Sequence, residues 1–158
     1  MIPISPLQLQ RAYELYDFHN LNNSETKGKG EVYGAIGEIV TLDYLQEVYG
    51  KLAACKVTSY DYDLVWHGLR VEVKSKKTSV TPKQEYNCTV STHNTKQECD
   101  LYVFVRVHQN LNSAWILGSI KRNDFYTKAI YKERGSQDIT GVIQMTGYHL
   151  PIGELTRI

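Results

Sequence analysis

The stretch that decides the fold is Tyr60-Asp-Tyr-Asp-Leu-Val-Trp-His-Gly-Leu-Arg-Val-Glu-Val-Lys74. Residues alternate in character on both sides of His67-Gly68, and a dipeptide ending in glycine suits the tight two-residue turn of a β-hairpin. Side chains of a strand alternate between its faces, so the hairpin is predicted to have two different faces. The apolar face is expected to join the core and consists of Tyr62, Leu64, Trp66, Leu69, Val71 and Val73. The other face consists of Asp61, Asp63, Val65, Arg70, Glu72 and Lys74.

The charged face contains an unusual pair of carboxylates. Counting outward from the turn places Asp63 directly opposite Glu72, with Cβ atoms roughly 5 Å apart. Two negative charges at that distance repel by about 3 kcal/mol at an effective dielectric constant of 20. A divalent cation between them would reverse the sign of this interaction, and oxygen-rich sites suit Mg²⁺ or Mn²⁺. Lys74 lies about 7 Å further along the same face, within reach of a metal-bound water or a phosphate.

The spacing of these residues resembles the signature of the PD-(D/E)XK nucleases, the restriction-endonuclease-like superfamily. Asp63 stands nine residues before Glu72-Val73-Lys74 on a hairpin, although Tyr62 occupies the position of the family's proline. The resemblance implies a central mixed β-sheet flanked by helices, with the family core at about 31–107. It also implies a metal-dependent endonuclease that hydrolyses the phosphodiester bonds of DNA.

The resemblance assigns roles to the residues of the hairpin. Asp63, Glu72 and the backbone carbonyl of Val73 would hold Mg²⁺, with Mn²⁺ as a substitute. The metal would lower the pKa of a bound water and neutralise charge that develops on the phosphate. Lys74 would position or deprotonate the attacking water, or stabilise the pentacovalent phosphate. Asp61 is either an ion partner of Lys74, an outer group of the site or the principal metal ligand in place of Asp63.

A helix predicted over 31–49 adds a further carboxylate. Glu38 shares a face of this helix with Ala35 and Leu42. An isolated carboxylate on such a face costs several kcal/mol unless it is paired or bound to a metal. One explanation is a bond from Glu38 to a buried arginine or tyrosine. The resemblance supplies another, because the family commonly places a glutamate on the helix before the hairpin, where Glu38 would bind a second metal ion or orient water.

Three basic segments are candidates for contacts with nucleic-acid phosphates. The polar segment 22–30 ends Lys-Gly-Lys-Gly and is expected to be either a solvated linker or a mobile basic loop on phosphates. A loop expected over 75–85 leaves the hairpin directly. A helix expected over 123–134, in a stretch rich in basic and aromatic residues, is either a solvated amphipathic helix or part of the DNA footprint. The candidate nucleic-acid-binding residues are Lys27, Lys29, Lys76, Lys77, Lys83, Lys121 and Arg122.

The remaining hydrophobic pattern completes an α+β arrangement. A first helix over 6–20 is capped by Ser5. Together with the hairpin, the predicted strands form a mixed sheet with helices on its faces, the class called α/β or α+β. The additional strands are expected at 53–60, 86–91, 101–107, 114–120 and 142–150.

Length and composition fit one globular domain over residues 1–158. The net charge is only +1, so a nucleic-acid surface must be a local patch. The cysteines form an odd, scattered set without a CxxC motif, which is typical of reduced thiols in the cytoplasm, here of a bacterial or phage-infected cell. No apolar run approaches a membrane span and no basic-then-apolar leader precedes the first residues, so no membrane partner is expected.

Three functions remain open on the sequence alone. The enzyme is favoured because Glu38, Asp63, Glu72 and Lys74 occur together. A non-catalytic nucleic-acid-binding protein of the same fold would keep the basic segments without needing all four residues. A structural ion-pair hairpin would be indifferent to Mg²⁺, whereas a bound metal raises the melting temperature.

Within the nucleases, sequence-specific restriction or homing enzymes, junction-resolving enzymes and flap nucleases stay open. Resolving a junction or cutting both strands of a duplex would imply a homodimer or a higher homo-oligomer.

Overall fold

The computed structural model describes residues 1–18, 31–57, 59–139 and 141–158. Its helices are α1 (Pro6–Phe18), α2 (Glu31–Tyr49) and α3 (Arg122–Lys128). Its strands are β1 (Ile2–Pro3), β2 (Ala54–Lys56), β3 (Leu64–Trp66), β4 (Leu69–Thr78), β5 (Asn87–Ser91), β6 (Leu101–His108), β7 (Ser113–Lys121), β8 (Ile130–Lys132), β9 (Gln137–Asp138), β10 (Gly141–Val142) and β11 (Gly147–Pro151). None of the helices among these residues is long and apolar enough to cross a membrane.

The strands form one large mixed sheet and two small sheets. The large sheet has six strands in the order β1-β7-β6-β4-β3-β2. Within it, β4 and β6 run parallel, and the other neighbours run antiparallel. A three-stranded antiparallel sheet has the order β5-β11-β8, and β9 pairs with β10. The general expectation of an α+β protein with a mixed sheet and flanking helices is confirmed.

Two hydrophobic clusters cover the two faces of the large sheet. On one face, Ile36 and Leu45 of α2 pack with Val71 of β4 in a cluster that also includes α1. On the opposite face, Tyr102 of β6 packs with Phe125 of α3 and with buried residues of the three-stranded sheet. Apolar residues on both faces are typical of a central strand, and β6 has the expected extent and burial.

The hairpin has the predicted register. Leu64 pairs with Val71 and Trp66 pairs with Leu69, so the turn consists of His67 and Gly68. Both turn residues have positive φ angles, 47° and 80°, as the predicted tight turn requires. The predicted apolar face is confirmed for Leu64, Val71, Val73 and Trp66, which belong to or pack on the cluster under α2.

Two residues of the predicted apolar face are exceptions: Tyr62 packs against the other cluster, and Leu69 is exposed beside the turn. The prediction that Asp63 pairs directly with Glu72 is also wrong. The pairing of β3 ends at Leu64, so the alternation of faces does not continue to Asp63 and Tyr62.

Several element boundaries differ from the sequence prediction. The prediction of a loop over 75–85 is wrong at its start, because β4 continues to Thr78 by pairing with β6. The prediction of a helix over 123–134 is wrong after Lys128, because residues Ile130–Lys132 pair with β11. In both places the tertiary partner outweighs the local sequence.

Two predicted strands also differ in extent. The strand expected over 53–60 is limited to β2, and the strand expected over 142–150 is divided between β10 and β11. Ser5 caps α1 as expected, because its Oγ accepts a bond of 3.2 Å from the N–H of Gln8.

Helix α2 approaches β4 most closely at Gly37. A Cβ atom added there would lie 1.7 Å from Ser75 Oγ and 2.9 Å from Ser75 Cβ. We therefore expect Gly37→Ala to lower the free energy of unfolding by about 1–3 kcal/mol, measured by urea denaturation. Gly34→Ala is the matched control, because its Cβ would meet no atom of the described residues within 4 Å and alanine favours a helix by roughly 0.5–1 kcal/mol.

Adding Ser75→Gly to Gly37→Ala should recover part of the lost stability, since it removes the clashing side chain. Equal effects of the two alanine substitutions would contradict a close contact at Gly37.

A buried histidine connects the strands of the three-stranded sheet. His149 Nε2 donates to the Met145 carbonyl (3.1 Å), so Nδ1 is the acceptor for Thr89 Oγ1 (3.2 Å). Burial lowers the pKa of His149 below 6.5, the bond to Met145 opposes this shift, and the positive charges of Lys132 and Lys76 reinforce it. The folded protein therefore holds His149 neutral under conditions in which the unfolded chain binds a proton.

This lowered pKa predicts that His149 makes the protein less stable in acid. As pH falls through 6.5, the unfolded state binds more protons than the folded state, so the contribution of His149 to stability is lost. Urea unfolding from about pH 7.5 to about pH 5.5 should show a steeper loss in the wild type than in His149→Gln. Equal slopes for the two proteins would contradict the lowered pKa, because the other titrating groups are common to both.

Candidate active site

The candidate site begins where the pairing of β3 with β4 ends. The N–H of Asp63 donates to the Val71 carbonyl (2.9 Å), and its Oδ2 accepts from the N–H of Val73 (2.8 Å). The carboxylate thus occupies the place of a backbone partner beside β4. In a ladder a residue directs its N–H and C=O to the same side, so the Val73 carbonyl lies on the edge of β4 that faces Asp63.

The side chains of Glu72 and Lys74 lie on one face of β4, and that of Val73 lies on the other. Lys74 Nζ lies 2.7 Å from Glu72 Oε1, and only 13% and 7% of their side-chain surfaces are exposed. These two predicted residues therefore form a buried ion pair. Such a pair is stable only if the remaining hydrogen-bonding atoms also find partners.

Gln97 supplies those partners. Its Nε2 donates to Glu72 Oε1 (3.0 Å) and to the Tyr60 carbonyl (2.9 Å), and its Oε1 accepts from Lys74 Nζ (2.7 Å). Gln97 is buried and lies in the segment before β6. Sequence reasoning missed it, because glutamine is common in polar connections and nothing in the local spacing marks this one.

Glu38 faces the same break in the sheet from α2. Its Oε2 accepts a hydrogen bond from Lys56 Nζ of β2. The expectation that a buried arginine or tyrosine would pair with Glu38 is wrong, since the partner is a lysine on the strand next to β3. Lys56 was also missed, because one lysine in a short strand carries no distinctive pattern.

Asp63 connects the other carboxylates electrostatically. Burial raises the pKa of Glu72 to about 8 and that of Glu38 to about 7, and in each case the charge of Asp63 is the next largest cause. Lys74 opposes the shift at Glu72, and Lys56 opposes the shift at Glu38. Burial also raises the pKa of Asp63, against its bond from Val73 and the charge of Lys74.

Asp61 does not belong to this cluster of charges. Its Oδ1 accepts from the N–H of Glu98 (3.2 Å), and its own N–H donates to Ser59 Oγ (3.1 Å). The expectation that Asp61 could be an ion partner of Lys74 is wrong, because Glu72 and Gln97 bind the ammonium group. Of the two aspartates considered, Asp63 is the one beside Glu38 and Glu72.

The donor chemistry of the cluster fits a hard divalent cation. Three carboxylates and a neighbouring backbone carbonyl are the oxygen ligands that Mg²⁺ and Mn²⁺ prefer. Across the described residues, however, no group of three or more Asp, Glu, His or Cys side chains is arranged to hold a metal ion. Lys56 and Lys74 bind one oxygen each of Glu38 and Glu72. Metal binding therefore requires these two glutamates to turn from the lysines toward Asp63.

The predicted phosphate contacts fall into separate places. Lys76 and Lys77 lie in the last part of β4, and exposed Lys83 follows in the loop before β5. Lys121 and Arg122 lie where β7 meets α3. Lys27 and Lys29 lie outside the residues that the structure describes.

Arg122 is attached to the segment that carries Gln97. Its Nη2 donates to the Thr95 carbonyl (2.9 Å), and its guanidinium lies 5.3 Å from the centre of the Tyr126 ring. The guanidinium of Arg122 thus makes a cation–π contact with Tyr126 and a hydrogen bond to the backbone of Thr95. Arg122 therefore has a structural role close to the candidate site in addition to its predicted contact with DNA.

The bridging position of Gln97 yields a test of the hydrogen-bond network. Gln97→Met keeps the length of the side chain but leaves Lys74 and Glu72 without the amide, so the free energy of unfolding should fall by about 1.5–3 kcal/mol. Urea denaturation measures this change. Gln10→Met is the control, because Gln10 is exposed and its side chain bonds its helical neighbour Glu14 among the described residues. If both variants are equally stable, the amide does not hold the buried pair.

The sequence matches no model of a known protein family, and no curated protein matches it.

Proposed function

We propose that this protein is a metal-dependent endonuclease that hydrolyses phosphodiester bonds of DNA. The observation that carries the proposal is the meeting of Glu38, Asp63, Glu72 and Lys74 where β3 leaves β4. Asp63 contributes to the electrostatic environment of both glutamates, and Lys74 is bonded to Glu72. These are the residues that the PD-(D/E)XK resemblance selects from the sequence.

The arrangement of elements supports a restriction-endonuclease-like core within this proposal. Helix α2 packs on the β3–β4 hairpin, and β6 pairs with β4 in parallel. All of these elements belong to the stretch of about 31–107 in which the resemblance expects the core. The residues before and after it would then adapt the core to a particular DNA substrate.

In the proposed mechanism, carboxylates at the break in the sheet hold Mg²⁺ or Mn²⁺. Asp63, Glu72 and the Val73 carbonyl would be the ligands, and Glu38 would bind a second ion or orient water. When bound, the metal would lower the pKa of a coordinated water and neutralise charge on the phosphate. Lys74 would position or deprotonate the attacking water, or stabilise the pentacovalent phosphate. Gln97, which accepts from Lys74 Nζ, would hold the lysine side chain in place.

The proposed partner is DNA, held through its backbone by basic residues around the site. Phosphate contacts of this kind position a nucleic acid without reading its sequence. Cutting of both strands or of a junction would require a homodimer or a higher homo-oligomer, and the proposed setting is the cytoplasm of a bacterial or phage-infected cell. The residues proposed for the contacts are Lys27, Lys29, Lys76, Lys77, Lys83, Lys121 and Arg122.

A non-catalytic nucleic-acid-binding protein is the second candidate. The ion pairs of Lys56 with Glu38 and of Lys74 with Glu72 favour it, because they compensate two of the carboxylates without a metal ion. Such a protein would bind the same nucleic acids through its basic residues and leave them intact.

Cleavage assays separate these candidates. Supercoiled plasmid, a four-way junction and a single-stranded circle are incubated with Mg²⁺, Mn²⁺ or EDTA. We expect metal-dependent cutting by the wild type and a loss of about 10²–10⁴-fold in Asp63→Asn and Lys74→Met. Asp61→Asn and Lys128→Met are the matched controls, because Asp61 bonds outside the cluster and Lys128 pairs with Glu154 on the surface.

Metal binding is measured on the same proteins by thermal unfolding. Mg²⁺ should raise the melting temperature of the wild type and of Asp61→Asn but not that of Asp63→Asn, since only a ligand bound to the native state stabilises it. Binding of all three nucleic acids without cutting would favour the second candidate. Cutting that persists in both Asp63→Asn and Lys74→Met would reject this site.

A further inference from the structure

A separate polar cavity of about 350 Å³ lies between the end of β4 and the three-stranded sheet. Lys76 and Lys77 of β4 and Arg106 of β6 line it on one side, and Thr89 and His149 line it on the other. No aspartate or glutamate is found among the described residues of its wall. The cavity therefore combines several cations with neutral hydrogen-bonding groups.

Arg106 is the most unusual of these cations. It is only 7% exposed, and its Nη2 donates to the Asn87 carbonyl (2.6 Å). A guanidinium has five N–H donors, and among the described residues the structure shows one hydrogen bond from Arg106. None of the described carboxylates forms a salt bridge with Arg106. A buried charge costs several kcal/mol unless an opposite charge compensates it.

Lys76 increases this imbalance. It is the direct neighbour of Arg106 in the parallel pairing of β4 with β6. Like charges at opposed positions of two strands destabilise the pairing. An anion bound between Lys76 and Arg106 would turn this repulsion into attraction, just as a cation would between Asp63 and Glu72.

The neutral wall of the cavity limits which anion fits. Both ring nitrogens of His149 already have partners, Thr89 and Met145, so the ring is a fixed neutral surface. Arginine binds the oxygens of phosphate in a bidentate manner, and lysine adds a point charge. A ligand with several acceptor oxygens and more than one negative charge can bind Arg106 and Lys76 at the same time.

We propose that this cavity binds a phosphate group. Lys76 follows Lys74 by two residues on the same face of β4, about 7 Å along the strand, so the cavity lies next to the candidate active site. The source of the phosphate is either the terminus of a nucleic-acid strand or its backbone, and this part rests on the proposed function. The binding of phosphate itself does not require that the protein cleaves DNA.

The first test uses inorganic phosphate as the probe. Thermal unfolding is compared in phosphate and in chloride of the same ionic strength. Phosphate should raise the melting temperature of the wild type and of Lys51→Met more than that of Lys76→Met or Arg106→Gln. Lys51 is exposed and is not among the residues proposed to contact DNA. Phosphate also stabilises proteins generally, but that effect is the same for Lys76→Met and Lys51→Met. Should Arg106→Gln fail to fold, the comparison of Lys76→Met with Lys51→Met still tests whether the cavity binds phosphate.

The second test identifies the source of the phosphate. Oligonucleotides that differ only in a 5′-phosphate or 5′-hydroxyl are bound in EDTA over a range of salt concentrations. For a terminal phosphate, the wild type prefers the phosphorylated strand and Lys76→Met loses the preference. For a backbone phosphate, Lys76→Met binds both strands more weakly and the salt dependence falls by about one unit of slope.

The outcomes distinguish this inference from the proposed function. Equal phosphate effects in Lys76→Met and Lys51→Met, with unchanged oligonucleotide binding, would overturn the phosphate site even if plasmid is cleaved. A phosphate effect that depends on Lys76, in a protein that cuts no nucleic acid, would support the cavity and reject the endonuclease.

Discussion

The candidate site depends on one hydrogen bond, from the N–H of Val73 to the carboxylate of Asp63. An antiparallel ladder normally satisfies that N–H with a backbone carbonyl. Here a side chain replaces the carbonyl, so β3 can leave β4 without exposing an unpaired backbone group in a buried place. The same hydrogen bond places the charge of Asp63 where it raises the pKa of both Glu38 and Glu72, so the break in the sheet also links the three carboxylates electrostatically.

Strand β4 carries charges of both signs that are balanced in different ways. Around Glu72, lysines and the amide of Gln97 compensate buried carboxylates within the protein. Around Arg106, no carboxylate of the described residues forms a salt bridge with the guanidinium. The buried carboxylates therefore have charged partners within the described protein that the buried guanidinium does not have. The proposed metal and phosphate sites would take ligands of opposite charge at two neighbouring positions of this strand.

The sequence predicted those parts of the structure that local alternation determines. Two periodic runs around His67-Gly68 predicted the register of the hairpin from Leu64 to Val71. The same counting placed Asp63 opposite Glu72, but the pairing ends before that position, and Asp63 instead accepts a hydrogen bond from the N–H of Val73. Contacts between distant segments could not be predicted in this way. Lys56 bonds Glu38 from 18 residues further along the chain, and Gln97 bonds Lys74 from 23 residues further along. Neither residue type is distinctive in the sequence.

The polar residues after Lys74 were mistaken for a loop for a similar reason. Their strand conformation comes from pairing with the buried strand β6, and this partner is invisible in a local window. The end of β4 is therefore a place where tertiary structure decides against composition.

This extension of β4 has a mechanical consequence. Residues 72, 74 and 76 occupy one rigid strand that is paired with a buried neighbour, so the distance from the carboxylates to Arg106 is set by the repeat of the strand. A loop could adjust to an inserted residue, whereas a single insertion after Lys74 would rotate every later side chain to the other face of the sheet. The strand therefore fixes the spacing between the two sites. Inserting or deleting a residue would change that spacing, whereas a substitution would not.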